Sequence, residues 1–169
     1  MKNLLIVYHS ATGATEQMAN AAANGAKGTS CMDDVNNVAV KLLHASVAGP
    51  ADLLAADAYI FAAPENLAAI AGLMKDFFDR SYYGALDRIN GRRYAAIICA
   101  GSDGHSAARQ IERIATGWRL QAISPPLIIC THAQSTEAIL ARKQVSPADL
   151  ARGEELGATI AAGLAIGAF

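Results

Sequence analysis

The chain has 169 residues with a formal net charge of −1, and 53% of its residues are hydrophobic. A chain of this length is typical of one domain and buries about 70% of its unfolded surface, so its core needs neither disulfides nor metals. The dispersed basic residues disfavour nucleic acid as a partner, and no apolar run reaches the ~20 residues of a membrane span.

The first predicted element is a strand, followed by a turn that has the chemistry of an anion site. Residues 4–8 form a continuous apolar run, which is typical of a parallel strand covered on both faces. Strong helix formers follow the turn, and a helix amino end offers unpaired N–H groups and a partial positive charge that attract phosphate. Ser10, Thr12 and Thr15 add hydroxyl donors, and Gly13 lets the backbone approach an anion closely. The alternative is an ordinary capping turn, with Ser10 or Thr12 as the N-cap.

The elements that follow alternate between apolar strands and helices. We expect the first helix to end at residues 25–28, which contain two glycines. Strands are predicted at residues 35–43, 58–64, 94–99 and 125–130, and helices at residues 51–56, 67–82, 106–120 and 147–165. The last helix has Ser146 as its N-cap and Pro147 at its first position. The polar residues 135–144 are interpreted as either a short helix or a mobile flap.

This alternation predicts an α/β protein, with a parallel sheet between two layers of helices. The turn Ser10-x-Thr12-Gly13-x-Thr15 resembles the FMN-phosphate loop of the flavodoxin superfamily. It has neither the lysine of the nucleotide P-loop nor the glycine spacing of dinucleotide folds. The resemblance implies one flavodoxin-like domain over residues 1–169, a three-layer sandwich around a five-stranded sheet of order 2-1-3-4-5. Flavodoxin itself is the standard example of a sheet with this order, and its ligand lies at the point where the strand order reverses.

Two further loops extend the resemblance. Pro64-Glu65-Asn66, followed by the sequence Leu-Met-Lys-Asp-Phe-Phe-Asp-Arg at residues 73–80, is similar to the second FMN loop and helix of NADPH-dependent FMN reductases and quinone reductases. The loop at residues 101–104 resembles their third loop. The aromatic residue that often follows the proline in those proteins is absent here, which would leave one face of the flavin open. Four residues are alternative sources of a ring: Tyr8, Tyr82, Tyr83 and Trp118.

The resemblance implies FMN as a non-covalent cofactor, NAD(P)H as electron donor and a quinone or other small molecule as acceptor. It also implies a homo-oligomer, for which Phe77-Phe78 and Tyr82-Tyr83 are candidate exposed contacts. No catalytic side chain and no metal are expected, because hydride transfer to a flavin needs no protein acid or base. The implied cofactor-binding residues are His9, Ser10, Ala11, Thr12, Gly13, Ala14, Thr15, Pro64, Glu65, Asn66, Leu67, Ala100, Gly101, Ser102, Asp103 and Gly104.

Two other functions stay open at this point. One is an electron carrier between protein partners, and the other is a flavin-binding domain without turnover. Small flavodoxin-type carriers are usually strongly acidic and find basic partners through a long-range field. A net charge of −1 gives this chain almost no such field, so the reductase is favoured.

Several loop residues have two interpretations. His9 either donates to the phosphate or is a bystander, and His105 is more simply a solvent-facing residue at a helix start. Asp103 either binds the flavin or ribityl chain or forms an Asx-turn. Glu65 either binds the ribityl chain or flavin edge or stays solvated.

The charged helix residues also allow two interpretations. Arg80, Arg109 and Arg113 either bind the 2′-phosphate of NADPH or, as is favoured, are surface charges. Lys75, Asp76, Asp79 and Arg80 are spaced to form an ion-paired helix face.

The cysteines and the amino terminus predict the compartment. Cys31, Cys99 and Cys130 are far apart and show no Cys-x-x-Cys spacing. An odd number of cysteines on a chain that begins without signal-peptide features indicates a reducing, cytoplasmic environment. Cys99 and Cys130 are expected to be inert small hydrophobes, with a redox role for Cys99 as the less favoured alternative.

Overall fold

The computed structural model describes residues 1–30 and 38–168, and within them a parallel sheet lies between two layers of helices. The strands are β1 (Lys2–Tyr8), β2 (Val38–His44), β3 (Ala58–Asn66), β4 (Ala69–Ile70), β5 (Arg93–Ala100), β6 (Gln121–Ala122) and β7 (Leu127–Cys130). The helices are α1 (Ala14–Ser30), α2 (Pro50–Ala55), α3 (Gly72–Ala85), α4 (His105–Gly117), α5 (Thr136–Leu140) and α6 (Pro147–Ala165).

The sheet has the predicted topology with additional short strands. Its order is β2-β1-β3-β5-β6, and β7 also pairs in parallel with β5, so β6 and β7 together occupy the fifth position. Between them stand Pro125 and Pro126, which have no N–H to donate and therefore interrupt the ladder. The fifth strand is thus shorter than the predicted 125–130, and the flavodoxin-like order is confirmed.

Each face of the sheet has its own apolar core. On one face Phe61 packs against Phe77, Phe78 and Trp118, all essentially inaccessible to solvent. On the other face the side chains of β1 and β3 meet α1 and α6. Because both faces are covered, the central strands are apolar throughout rather than alternating.

Helices α1 and α6 approach each other closely through glycines. A Cβ atom at Gly25 would lie 2.0 Å from the carbonyl oxygen of Glu154, and one at Gly157 would lie 1.9 Å from that of Ala22. The prediction that the first helix ends at residues 25–28 is therefore wrong, since the helix continues to Ser30. Gly25 serves helix packing rather than helix termination.

The helix predicted at residues 67–82 begins later than expected. Leu67 and Ala68 both have positive φ, of 50° and 59°, and form the tip of a hairpin in which Asn66 pairs with Ala69. This tight turn extends the third strand and delays α3 to Gly72. Asparagine and glycine are the usual residues of such a turn, so Leu67 and Ala68 did not predict it.

The other predicted elements agree with the structure to within a few residues. The second strand was predicted from residue 35, and its first three residues lie outside the described part of the chain, as does Cys31. Helix α6 has the predicted bounds, and Ser146 caps it by accepting a hydrogen bond from the N–H of Asp149 at 3.1 Å. None of the helices within residues 1–30 and 38–168 combines the length and apolar character that crossing a bilayer requires.

Candidate functional site

A cleft of about 200 Å³ opens at the carboxyl ends of β1, β3 and β5. The three predicted loops all contribute to it, together with residues that follow β7. Its lining residues are Ser10, Ala11, Thr12, Ala14, Thr15, Pro64, Glu65, Asn66, Cys99, Ala100, Gly101, Thr131, Ala133, Ile139, Leu140 and Lys143. Of the predicted site residues, six are not among those that line the cleft: His9, Gly13, Leu67, Ser102, Asp103 and Gly104.

The turn after β1, residues 10–15, has the donors of an anion-binding site and is called the anion cradle below. Ser10 Oγ accepts a hydrogen bond from the N–H of Gly13 at 3.1 Å, which closes the turn and leaves the hydroxyl proton of Ser10 available to donate. Gly13 has φ +92°, a conformation that favours glycine. Within the described residues, no acceptor is found for the first N–H groups of α1, those of Ala14, Thr15 and Glu16. The turn therefore presents hydroxyl and backbone donors at the positive end of a helix.

His9 is directed toward another histidine. Its Nδ1 lies 3.1 Å from Nε2 of His44, and the N–H of Ser46 donates to Nδ1 of His44 at 3.3 Å. This pattern places a proton on Nε2 of His44, which donates to His9. Burial, and then the neighbouring His44, lowers the pKa of His9, so its imidazole is neutral at pH 7. His9 therefore brings no positive charge to the anion cradle.

Glu65 links the second and third loops. Its two carboxylate oxygens accept hydrogen bonds from the N–H groups of Gly104, at 3.0 Å, and Ala107, at 3.1 Å. A negative charge at the amino end of α4 is favourable because of the helix dipole. Neither Asp103 nor His105 contributes to this cap, and both are exposed. Glu65 is therefore not simply solvated, and its carboxylate stabilises the geometry of both loops.

Both the backbone conformation of Gly104 and its close neighbours favour glycine at this position. It has φ +86°, and a Cβ atom there would lie 2.7 Å from Cγ2 of Ile128. The carbonyls of Ala100 and Gly101 accept from the N–H groups of Thr131 and His132, at 2.9 and 2.7 Å. Within the described residues the N–H of Gly101 has no acceptor, so this loop offers a donor to a ligand.

Among the residues that the structure describes, no aromatic ring lines the cleft. Trp118 is fully buried, and its Nε1 donates to the carbonyl of Tyr82, on whose ring it stacks. Tyr8 packs edge-on against His44, and Tyr83 is exposed on α3. The apolar part of the cleft is aliphatic instead, since it consists mainly of Pro64, alanines, Ile139 and Leu140. None of the four predicted ring sources is placed to stack on a ligand there.

Both described cysteines near the cleft have raised pKa values. Burial, opposed in part by a hydrogen bond from Thr15, raises the pKa of Cys99 to about 11. Burial also raises the pKa of Cys130, and Asp103 and Glu65 add to that shift. Both thiols are neutral at pH 7, which agrees with inert hydrophobes rather than redox groups. In the described part of the chain, no group of three or more His, Cys, Asp or Glu side chains is arranged to hold a metal ion.

The sequence left open whether the segment after β7 covers the cofactor, and the structure places part of it in the cleft. Residues 135–144 contain the short helix α5, whose N-cap Ser135 accepts from the N–H of Ala138. Ile139 and Leu140 line the cleft although 50% and 72% of their surfaces are exposed. Lys143 lines it as well, and its N–H donates to the carbonyl of Thr12 in the anion cradle at 2.8 Å. In the sequence, the apolar pair Ile139-Leu140 within this polar stretch was the one signal that the segment contacts a ligand.

The charged helix residues form the surface that was predicted. Lys75 pairs with Asp79, and Arg80 pairs with Asp76, both at 2.6 Å and one helical turn apart. Arg80 also donates to the carbonyl of Ala45 at 2.8 Å, so it fixes the loop after β2. Arg109 and Arg113 line a shallow depression on α4, away from the cleft residues.

A doubly wound α/β sheet with a hydroxyl-rich anion cradle after its first strand defines a flavodoxin-like protein. The model of the NADPH-dependent FMN reductase family matches residues 3–134, and the chain belongs to this family. The matched residues end just before the segment at 135–144.

Two curated relatives and a solved structure are also similar to this chain. A flavodoxin from Aquifex aeolicus is 30% identical over 62% of this chain and 53% of its own length. An NAD(P)H dehydrogenase (quinone) from Acidithiobacillus ferrooxidans is 35% identical over 48% of each protein. The matched regions thus span about half the length of these curated relatives. A solved archaeal flavodoxin superposes with a TM-score of 0.77, at 21% identity and over 96% of this chain and 98% of its own, which shows the shared fold.

Proposed function

We propose that this protein binds FMN and acts as an NAD(P)H-dependent oxidoreductase that passes electrons to a quinone or another small acceptor. The observation that carries the proposal is the cleft, in which the anion cradle after β1 meets the loops after β3 and β5. Membership of the NADPH-dependent FMN reductase family supports the same chemistry.

The anion cradle suits the phosphate of FMN. A phosphate monoester is a dianion at neutral pH and accepts several hydrogen bonds, so it needs donors and positive potential. The hydroxyl proton of Ser10, the half-buried Thr12 and the first-turn N–H groups of α1 supply both. Thr15 is 1% exposed and its hydroxyl bonds to Cys99, so we assign it to the support of the cradle.

The other two loops suit the flavin ring. Isoalloxazine has hydrogen-bonding atoms along one edge and apolar faces. The N–H of Gly101 can meet such an edge, while Pro64, Ile139 and Leu140 provide aliphatic contact. When bound, FMN supplies the redox chemistry, accepting hydride from NAD(P)H and releasing electrons to the acceptor. The chain binds and orients it, and the absence of an aromatic side chain among the cleft residues leaves room for a substrate beside the ring.

An electron carrier between proteins is the competing function, because one relative is named as a flavodoxin. A net charge of −1 provides little steering toward a protein partner, which supports the enzyme instead.

Anaerobic stopped-flow spectroscopy separates the two functions. We expect the visible flavin band of the FMN-loaded protein to bleach within seconds of mixing with NADPH or NADH, and to return when a quinone is added. Free FMN at the same concentration is the control. A band that resists both nucleotides and bleaches only with a partner reductase would support the carrier, and a purified protein that takes up no FMN would contradict both functions.

Assembly and compartment also belong to this proposal. We expect a homo-oligomer, and the exposed Tyr83 is a candidate contact, whereas Phe77 and Phe78 are buried in the core and are not. The two described cysteines, Cys99 and Cys130, are free thiols, which supports work in a reducing cytoplasm. A small-molecule acceptor, rather than nucleic acid or a membrane, fits a cleft of about 200 Å³.

A further inference from the structure

The anion cradle contains no cation of its own. Residues 10–15 contribute hydroxyl and backbone donors but no lysine or arginine. Their N–H groups supply only partial positive charge, although the ligand that we propose is a dianion. A full positive charge near the cradle would therefore add to binding.

The segment after β7 places Arg142 next to the anion cradle. A Cβ atom built on Gly13 would lie 3.6 Å from Cγ and 3.8 Å from Nε of Arg142. The Arg142 side chain, including Nε of its guanidinium, therefore lies beside Gly13.

The backbone around Arg142 is held firmly against α1. The next residue, Lys143, donates its N–H to the carbonyl of Thr12 at 2.8 Å. The side-chain amide of Gln17 donates to the carbonyl of Lys143 at 2.8 Å and accepts from the N–H of Val145 at 3.2 Å. The Lys143 ammonium in turn donates to the carbonyls of Ile139, at 2.8 Å, and Ala141, at 2.7 Å, at the carboxyl end of α5. These bonds fix the position of the Arg142 backbone relative to the cradle.

The Arg142 guanidinium is also available to donate hydrogen bonds to a ligand. Within residues 1–30 and 38–168, no carboxylate or carbonyl accepts a hydrogen bond from it. Three other arginines are engaged, since Arg80 pairs with Asp76, Arg119 with Asp87 and Arg152 with Asp149. A planar guanidinium can donate two parallel hydrogen bonds to a phosphate.

We infer that Arg142 binds the phosphate of FMN and completes the cradle with the charge that residues 10–15 lack. This inference rests on the proposed function, because it requires FMN to be the ligand. Arg142 lies outside residues 3–134, which match the family model, so that match assigns it no role.

The test compares Arg142→Gln with a matched loss of charge elsewhere. Arg88→Gln removes an exposed arginine that follows α3 and precedes β5, at the opposite edge of the sheet from the cleft. Fluorescence titration with FMN and with riboflavin, which lacks the phosphate, gives the dissociation constants. We expect Arg142→Gln to weaken FMN binding about tenfold and riboflavin binding less than about twofold, and Arg88→Gln to change neither. Added salt should reduce the FMN effect, because the guanidinium is exposed to solvent.

The outcomes distinguish the inference from the proposed function. Wild-type protein that does not bind FMN would defeat both. Wild-type protein that binds FMN while Arg142→Gln binds it equally well would overturn the inference alone. Equal weakening of FMN and riboflavin would also overturn it, since Arg142 would then support the segment rather than the phosphate. Partial rescue of FMN binding by Arg142→Lys would support a role for the charge.

Discussion

Individual side chains in the loops have protein partners that their sequence positions do not reveal. His9 was a candidate phosphate donor, yet it bonds to His44, which is 35 positions away in the sequence. Glu65 was a candidate flavin ligand, yet both of its oxygens cap α4. The loops are predictable from the sequence because strand and turn chemistry are local. Their partners are not, because they depend on which loops the sheet topology brings together.

The histidine pair gives the stability a pH dependence. The pKa of His9 is lowered in the folded protein, so below the ordinary value of 6.5 the unfolded chain binds more protons at this site than the folded one. Stability should therefore fall as the pH drops from 7 through 6.5 and below. Urea unfolding at pH 7 and pH 5 should show a smaller loss for His9→Gln than for the wild type.

His105→Gln is the control for this prediction, because His105 is exposed at the start of α4. It should keep the pH dependence of the wild type. An unchanged loss of stability on acidification in His9→Gln would show that the pair is not responsible.

Whole elements were predicted more reliably than their ends. The apolar runs identified the central strands because both faces of the sheet are covered. The first helix was predicted too short because glycine usually ends helices, whereas Gly25 is needed where α1 meets α6. The segment around α5 was left open between a helix and a flap because its fixing bonds, such as that from Gln17 to Lys143, join residues more than 120 positions apart.

Two glycines of α1 test this account of helix packing. A Cβ atom at Gly25 would lie 2.0 Å from a backbone carbonyl of α6, whereas at Gly28 it would meet nothing within 4 Å. Gly25→Ala should destabilise the protein by roughly 3 kcal/mol or more through overpacking. Gly28→Ala should stabilise it by up to ~1 kcal/mol, because alanine is the better helix former. Thermal unfolding followed by circular dichroism measures both, and equal effects of the two substitutions would contradict the packing argument.

At the scale of the whole molecule, the fold gathers four separate parts of the chain at one edge of the sheet. The loops after β1, β3 and β5 meet there because the carboxyl ends of parallel strands share that edge, and this much follows from the alternation of strands and helices. The fourth part, residues 135–144, adds aliphatic contacts and Lys143 to the cleft and places Arg142 beside the cradle. Its role depends on tertiary contacts and not on a motif.

A crystal structure of the protein with FMN tests the central claim most directly. We predict that the phosphate lies in the cradle, within hydrogen-bonding distance of the Ser10 hydroxyl and of the N–H groups of Ala14 and Thr15, with the ring beside Gly101. A cradle without phosphate in crystals that hold the flavin elsewhere would contradict the account.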